Sequence, residues 1–201
     1  MSFFSNLFKR RSTTMKEMAA ELAMDYYESD EQELIHGLAG FKLFQRGRRR
    51  RVNNLLSLID SGQGFEICIF DYAYTIGGGQ SNSRKKQTVF MVRSSGLNLP
   101  IFHLKPKHML HKLGEYIGWT KDIIFESHPV FSEAYLLQGN QEIDIRHVFH
   151  TDLLDFFSRE ASWHLEGYGN EFLLFRDSGR MDKEEMRNLF DKGEYVYSLL
   201  R

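Results

Sequence analysis

The sequence is poor in cysteine and proline and lacks any long apolar run. Its 201 residues include one Cys and 3 Pro. The single Cys68 excludes an internal disulfide, so the fold does not need an oxidising compartment. Because a membrane-spanning helix needs roughly 20 consecutive apolar residues, the sequence contains no candidate for one. Few prolines favour regular helices and strands with few rigid loops.

What is present is typical of a globular domain. Hydrophobic residues make up 42% and charged residues 26%, which excludes disorder over most of the length. The 17 Phe and 9 Tyr predict an aromatic core or an exposed aromatic surface. The formal net charge of −1 conceals an asymmetry, because Lys and Arg exceed Asp and Glu up to Lys107 and the excess reverses from His108 onward. Such a chain can present a basic face to an anionic surface, or it can pair its two halves with each other.

Residues 65–106 predict the centre of the fold. Two apolar runs, Phe65–Ile76 and Gln87–Arg93, flank a loop of Gly, Gln, Ser, Asn and basic residues. A third run, Leu99–Leu104, follows a second turn. Val, Ile, Phe and Tyr suit a half-buried strand, while Gly and Asn supply the backbone conformations that a chain reversal needs. The segment therefore predicts an antiparallel meander.

The remaining segments predict helices and further strands. Asp182 is placed to cap a final helix that runs toward Arg201. Helices are also predicted where apolar residues recur at helical spacing, over 14–28, 107–119 and 143–159. Strands are predicted over 41–45, 51–58, 122–125 and 131–137, and a C-terminal hairpin over 162–166 and 171–175. The expected fold is a single α+β domain over 14–201, with a mainly antiparallel sheet (meander plus C-terminal hairpin) and helices packed on one face or end.

Residues 1–13 form an amphipathic and basic N-terminal segment in this prediction. An apolar stripe is followed by three basic residues: Phe3, Phe4, Leu7, Phe8, Lys9, Arg10 and Arg11. One interpretation is an interfacial anchor, with aromatic side chains among lipid headgroups and basic side chains on lipid phosphates. The alternative is a helix that docks on its own domain.

Aromatic and turn residues recur in an order that is found elsewhere. The series is Phe70-Asp71-Tyr72, Gln87-Thr88-Val89, Leu99-Pro100-Ile101-Phe102, Asp122-Ile123-Ile124-Phe125, Phe131-Ser132 and Tyr135. In this series the sequence resembles a family of uncharacterised bacterial proteins with an FDY…QTV…LPxF…FSxxY core, which covers about residues 40–200. The resemblance implies a bacterial origin and a soluble domain that is sometimes joined to membrane segments. It implies no activity.

Histidine is the first candidate for chemistry. His108 and His111, and likewise His147 and His150, are three residues apart on predicted helices, a spacing that brings side chains to one face. Together with His103 and a carboxylate they could bind zinc. Neither pair matches an established zinc motif such as HExxH, and boundary positions on amphipathic helices also explain them. We therefore predict no metal site, with His103, His108 and His111 as the alternative ligand set.

Asp71 is the alternative catalytic residue, because it lies between Phe70 and Tyr72 in an otherwise apolar strand. A buried carboxylate must be paired or have a raised pKa, and either can mark an active site. The structural explanation is that Asp71 points to solvent, or binds a turn amide or an arginine of the basic cluster. The sequence favours the structural explanation, so no catalytic residue is assigned.

Two basic clusters are candidates for binding an anionic partner. They are Arg46, Arg48, Arg49, Arg50 and Arg51, and then Arg84, Lys85 and Lys86. If the strands that carry them are neighbours, both clusters lie at one end of the sheet and could bind lipid headgroups or nucleic-acid phosphates. Alternation along a strand would send two of the four consecutive arginines to the other face. A solvated turn paired with the acidic C-terminal half explains the clusters equally.

The favoured hypothesis is a non-catalytic interaction module of bacterial origin that binds a protein partner or an anionic membrane surface through these basic and aromatic residues. The first alternative is a metal-dependent hydrolase with a histidine and aspartate site, and the second is a nucleic-acid-binding protein. The near-neutral net charge counts against nucleic acid. No cofactor is expected. We expect a cytoplasmic location, with peripheral attachment at the inner face of the membrane if the N-terminal segment acts as an anchor.

Overall fold

An eight-stranded antiparallel sheet organises the computed structural model, which describes residues 3–29, 31–78, 81–109, 121–160 and 162–201. The strand order is β1-β2-β3-β4-β8-β7-β5-β6. The strands are β1 (Asp25–Tyr27), β2 (Arg48–Asp60), β3 (Phe65–Gly78), β4 (Ser81–Ser94), β5 (Leu99–Pro106), β6 (Tyr135–Gly139), β7 (His164–Gly169) and β8 (Glu171–Phe175). The α+β class and the mainly antiparallel sheet are thereby confirmed.

The described helices pack on both faces of this sheet. They are α1 (Phe3–Glu21), α2 (Glu31–Gly37), α3 (Lys42–Gln45), α4 (Pro129–Ala134), α5 (Glu142–Val148), α6 (Thr151–Arg159) and α7 (Lys183–Leu200). One face, here called the main face, packs against α1 and α4–α7 and holds the larger apolar core. The other, here called the short-helix face, is covered by α2 and α3 over β2, β3, β4 and β8.

The hairpin of β3 and β4 confirms the first half of the predicted meander. Its register runs from Phe65 opposite Ser94 to Gly78 opposite Ser81. The third strand departs from the meander, because β5 pairs with β6 and β7 while β8 pairs with β4. All five residues of β8 are buried. A strand that is apolar on both faces is most stable between two neighbours, and this position in the sheet provides them.

The C-terminal elements agree with the sequence-based prediction. The hairpin of β7 and β8 brings His164 opposite Phe175. The helix α7 begins after Asp182, whose side chain accepts a hydrogen bond from Glu185 N while the Glu185 side chain accepts one from Asp182 N. This reciprocal pair is a capping box, which satisfies two backbone donors at the helix start.

Several predicted element boundaries are wrong. Residues 42–45 form the short helix α3, whereas the sequence predicted a strand over 41–45. Both Leu43 and Phe44 are buried there, and an apolar pair of this kind fits a strand or a helix equally until its neighbours are known. The helix predicted over 14–28 lies over Phe3–Glu21 instead, so it crosses the expected boundary after residue 13 and ends before β1.

The segment between β5 and β7 also differs from the prediction. Residues 122–125 are not in a strand, although Ile123 N donates a hydrogen bond to Leu137 O. The strand predicted over 131–137 is divided between α4 and β6, and the helix predicted over 143–159 is divided into α5 and α6. The division lets Phe149 turn inward, where its ring packs edge-on against Phe102 at 5.1 Å. Most of the predicted helix over 107–119 lies outside the described residues.

Candidate functional site: the basic end of the sheet

The two basic clusters of the sequence meet at one end of the sheet. Strand β3 lies between them, with Arg51 opposite Ala73 on one side and Lys86 opposite Ala73 on the other. Thr75 is likewise flanked by Arg48 and Arg84. We call the seven side chains gathered here the basic patch: Arg48, Arg49, Arg50, Arg51, Arg84, Lys85 and Lys86.

A backbone irregularity in β2 decides which way its arginines point. Arg49 has a φ of 53°, and the register shifts between Arg48 and Arg51. This bulge breaks the strict alternation expected from the sequence, so Arg48 and Arg51 both pair with main-face positions of β3. Arg50 points the other way and donates a hydrogen bond to Phe44 O of α3. The patch therefore wraps the end of the sheet, with its larger part on the main face.

Gly47 makes the close approach of β2 and β3 possible just before the bulge. Its φ is 60°, and a Cβ placed on it would lie 2.5 Å from Thr75 O. Only glycine adopts this conformation in so little space without strain. The turn from α3 into the arginine run therefore depends on Gly47.

In the part of the chain that the structure describes, the charge of the basic patch is little compensated, although Lys85 is near enough to Asp177 to help lower the pKa of that carboxyl. None of its seven side chains forms an ion pair with a carboxylate there. Arg84 is instead held by Thr75 Oγ1, at 3.2 Å, and by Arg49 O. Partial burial lowers the pKa of Arg84, and the nearby charges of Arg51 and Arg180 lower it further. The arrangement accumulates positive charge that an anion would relieve.

Arg46 does not belong to this patch. Its Nη1 lies 3.9 Å from Asp177 Oδ2 on the short-helix face, and His164 Nε2 lies 3.3 Å from the same oxygen. Burial by itself raises the pKa of Asp177. The neighbouring His164 and Arg46 outweigh this effect and hold that pKa below its ordinary value. Arg46 therefore joins the segment after α3 to the segment after β8.

Asp71 is fully buried on the main face beside the patch, and its oxygens are occupied. The Arg11 guanidinium of α1 donates a hydrogen bond to each Asp71 oxygen, with Nε 2.9 Å from Oδ2 and Nη2 2.7 Å from Oδ1. Asn54 Nδ2 donates to Oδ2 at 3.1 Å, and Thr88 Oγ1 donates to Oδ1 at 3.3 Å. Arg180 Nε lies 3.2 Å from Oδ2, which is close enough for an ion pair. We call these five residues the Asp71 cluster.

The Asp71 cluster ties distant parts of the chain together. Arg11 also donates to Met181 O, and Thr88 Oγ1 accepts a hydrogen bond from Met181 N at 3.0 Å. The cluster thus joins α1 to the loop before α7 over the main face of the sheet. Asn54 reaches Asp71 because a second bulge in β2 gives it a φ of 52°. The partners of Asp71 differ from those expected, because it neither points to solvent nor binds the Arg46–Arg51 cluster, and its arginine partners are Arg11 and Arg180.

Arg11 of the N-terminal basic triplet turns inward. Its side chain is 11% exposed, whereas Arg10 is exposed. The interpretation of Arg11 as a contact to lipid phosphates is therefore wrong, because its guanidinium is committed to Asp71. The side chains of Phe3, Phe4, Leu7, Phe8 and Lys9 lie outside the described residues, but their backbone belongs to α1.

Helix α1 begins at the end of the sheet that carries the basic patch. Arg11 binds Asp71, which pairs with Asn53 of β2, whereas the chain after α1 enters β1 with Asp25 opposite Ser57. The helix therefore runs along the sheet away from Arg48–Arg51. The eight positions before Arg11 extend about 12 Å further toward the patch, at 1.5 Å per residue.

The two described histidines of the proposed ligand set, His103 and His108, do not meet Asp71. His103 lies on the short-helix face, opposite Glu166 and Gln138, and its Nε2 is 3.1 Å from Gln138 Oε1. Burial lowers the pKa of His103 to about 4, and the charge of Lys105 contributes. His108 is exposed, with Nε2 3.4 Å from Ser162 Oγ.

The other histidines that the sequence analysis considered are His111, His147 and His150. His111 lies outside the described residues, and His147 and His150 are exposed. Within the ranges that the structure describes, no group of three His, Cys, Asp or Glu side chains could hold a metal ion. Cys68 is buried, which raises the pKa of its thiol and leaves it protonated rather than nucleophilic.

The sequence did not place a second buried carboxylate, Glu166 of β7. Its two oxygens accept the backbone N–H of Leu43, at 3.1 and 3.2 Å, at the start of α3. Burial raises the pKa of Glu166 to about 7, against the opposing charges of Arg46 and Lys42. The only sequence signal was the same-face spacing of His164 and Glu166, which does not reveal that α3 covers them.

None of the described helices is long and apolar enough to cross a membrane. No family model matches the sequence, and no curated protein matches it. Among solved structures, the chain is similar to the crystal structure of the mycobacterial trehalose monomycolate transport factor A, TtfA. The TM-score is 0.65 at 12% sequence identity, and the likeness covers 94% of this chain and 94% of that chain. At this identity the likeness shows a shared α+β fold.

Proposed function

We propose that this protein is a non-catalytic interaction module that docks on an anionic membrane surface. The observation that carries the proposal is the basic patch, where seven cationic side chains lie together without a carboxylate partner among the described residues. Like charges at this density are unfavourable in the free protein. A surface of anionic headgroups attracts these cations and offsets their mutual repulsion.

The magnitude of this attraction is sufficient for reversible attachment. A Lys or Arg close to an anionic leaflet contributes about 1 kcal/mol, and the field decays over a Debye length of about 8 Å. The exposed side chains that lie on the main face can approach one plane: Arg48, Arg51, Arg84 and Lys86. Four such contacts correspond to about 4 kcal/mol, which is less than a single myristoyl chain supplies and gives a weak, readily reversible attachment.

Helix α1 supports the same orientation. Its first turns extend toward the patch, and the sequence places Phe3, Phe4, Leu7 and Phe8 there. Aromatic side chains next to basic ones suit the headgroup region.

The test is co-sedimentation of the full chain with vesicles of phosphatidylglycerol and phosphatidylcholine. The variant carries Arg48→Glu, Arg51→Glu and Lys86→Glu. Three lost attractions of about 1 kcal/mol each predict at least about a hundredfold weaker binding. A matched control reverses three cations outside the patch, Lys121, Arg159 and Arg201, all of which are exposed.

Two results would contradict the proposal. The first is an equal loss of binding in the patch variant and the control, because attraction would then follow net charge alone. The second is the absence of binding to anionic vesicles by the unmodified protein at low salt. A short DNA duplex measured under the same conditions tests the nucleic-acid alternative, which predicts a steep salt dependence.

A further inference from the structure

The geometry points to a phosphate-binding subsite within the basic patch, formed on the main face by Arg51, Arg84, Lys86 and Arg180. The inference deepens the proposed function, on which its lipid source rests. It adds that the surface recognises a phosphate group by shape, beyond attracting negative charge in general.

The register places the first three cations around one small residue. Arg51, Ala73 and Lys86 form a row across β2, β3 and β4, and Arg84 follows in the next main-face row opposite Thr75. Strands two apart in a sheet are separated by roughly 10 Å, which long side chains from both sides can span. Because Ala73 contributes only a methyl group between them, the two flanking side chains can converge on one anion.

Two of the guanidinium groups are already oriented by the protein. Arg84 Nη1 donates to Thr75 Oγ1 and Arg49 O, and Arg180 Nε lies 3.2 Å from Asp71 Oδ2. In the described part of the chain, the other nitrogens of these two groups have no carboxylate or hydrogen-bond partner. A guanidinium that is held on one edge loses less conformational freedom when its other edge binds a ligand.

The charges around the subsite favour an anion with more than one negative charge. Arg51 and Arg180 are near enough to Arg84 to lower its pKa, in addition to the effect of its partial burial. Among the described residues, the carboxylate beside the subsite is Asp71, whose two oxygens bind Arg11 and one of which lies 3.2 Å from Arg180 Nε. Arg180 is paired with this carboxylate, whereas no carboxylate among the described residues forms an ion pair with Arg51, Arg84 or Lys86. Crowding of these three cations does not stabilise the fold, so it is better explained by a ligand.

Phosphate is the group that fits these donors. Planar guanidinium groups bind phosphate oxygens through paired hydrogen bonds, which a lysine ammonium cannot reproduce. The phosphate can belong to a lipid headgroup or to a free phosphate, and both present the same oxygens. A phosphomonoester headgroup such as phosphatidate exposes more oxygens and charge than the diester of phosphatidylglycerol.

The experiment compares the full chain with Arg84→Lys, which keeps the charge but removes the paired donors. Binding is measured to phosphatidylcholine vesicles that contain phosphatidate, and to vesicles with enough phosphatidylglycerol to give the same surface charge. We expect the unmodified protein to prefer phosphatidate by about tenfold, the equivalent of one charge-assisted hydrogen bond. Arg84→Lys should remove most of this preference while phosphatidylglycerol binding changes by less than about twofold.

Arg50→Lys is the matched control, because Arg50 belongs to the same patch but contacts α3 on the short-helix face. It should keep the preference. Thermal unfolding of each variant verifies that it is folded. Inorganic phosphate is titrated against the full chain by calorimetry, and saturable binding that Arg84→Lys weakens identifies free phosphate as a source.

The outcomes separate this inference from the proposed function. Binding to both kinds of vesicle without any preference overturns the phosphate subsite and leaves the membrane proposal standing. Equal loss of preference in Arg84→Lys and Arg50→Lys also overturns the subsite. Inorganic phosphate binding without any vesicle binding supports the subsite and contradicts the membrane proposal. Absence of all binding overturns both.

Discussion

Two carboxylates, Asp71 and Glu166, are buried on opposite faces of the same sheet and are stabilised in different ways. Asp71 is bound by two arginines from outside the sheet, Arg11 and Arg180. The two oxygens of Glu166 share the single backbone N–H of Leu43 as donor, and burial raises the pKa of Glu166 to about 7. The difference teaches that burial alone does not define a reactive carboxylate. The deciding factor is whether the fold places a cationic side chain against the buried carboxylate.

The comparison also separates two structural roles. The Asp71 cluster joins α1 and the loop before α7 to the middle of β3, next to the basic patch. Glu166 holds the start of α3 against β7. The first connection depends on charge, while the second depends on hydrogen bonds that either protonation state can accept. The two sites should therefore respond differently to mutation and to pH.

The largest effect is expected when Asp71 loses its main partner. Arg11→Ala leaves a buried carboxylate with a single arginine, and removal of one partner of a buried pair costs about 3 kcal/mol of unfolding free energy. Urea unfolding measures this change. Arg10→Ala is the matched control, since Arg10 is the preceding residue of the same helix and is exposed, and it should change stability by less than about 0.5 kcal/mol. Similar losses in both variants would show that Arg11 contributes little through Asp71.

A smaller effect of pH is expected at Glu166. Its folded-state pKa of about 7 lies above the unfolded value of 4.5, so its contribution to stability is fully present below pH 4.5 and is lost as the pH rises through 7. Glu166→Gln retains the shape and cannot ionise. Between pH 5 and pH 8 the wild type should lose about 2 kcal/mol relative to this variant. Urea unfolding at both pH values measures the difference, with exposed Glu126→Gln as the control. A difference that does not change with pH would contradict the raised pKa.

The smallest effect, of opposite sign, is expected at His103 on the same face. Its folded-state pKa of about 4 lies below the unfolded value of 6.5, because burial disfavours the charged ring. Its contribution is therefore present above pH 6.5 and is lost as the pH falls toward 4. Since the ring is only half-buried, wild type should lose about 1 kcal/mol relative to His103→Gln between pH 7.5 and pH 5. NMR titration of the His103 ring provides an independent measurement, and an ordinary pKa would refute the expected loss.

Sequence patterns were sufficient where local signals and burial agree. The β3–β4 hairpin, the β7–β8 hairpin and the capped helix α7 follow from apolar runs, turn residues and the Asp182 cap. The patterns failed where a short apolar segment could join more than one element. Leu43 and Phe44 form a helix because both cover β3 and because the Leu43 N–H donates a hydrogen bond to Glu166. Glu166 is more than 120 residues away in the sequence. No local pattern contains that information.

The candidate site likewise combines features that the sequence predicted with features that only the fold revealed. The basic clusters were evident in the sequence, but their convergence depends on β2 and β4 pairing with the two edges of β3. Arg180 and the inward turn of Arg11 were not predictable, because their partner Asp71 is distant along the chain from both. Alternation alone suggested that two of the four consecutive arginines would face away. The bulge at Arg49 instead changed which arginines share a face, because it brings Arg48 and Arg51 to the same side.

The sequence by itself determined the class of the protein: an α+β domain with an antiparallel sheet, one cysteine that no internal disulfide can use, and positive charge concentrated in two short clusters. These properties follow from composition and from the two periodicities of helices and strands, which are local. Only the tertiary structure decided which carboxylate is paired, which arginines stay exposed and where β5 joins the sheet. Those outcomes depend on which distant segments bury each other. A buried charge is unfavourable without a partner, and its partner can come from any part of the chain that the fold places beside it.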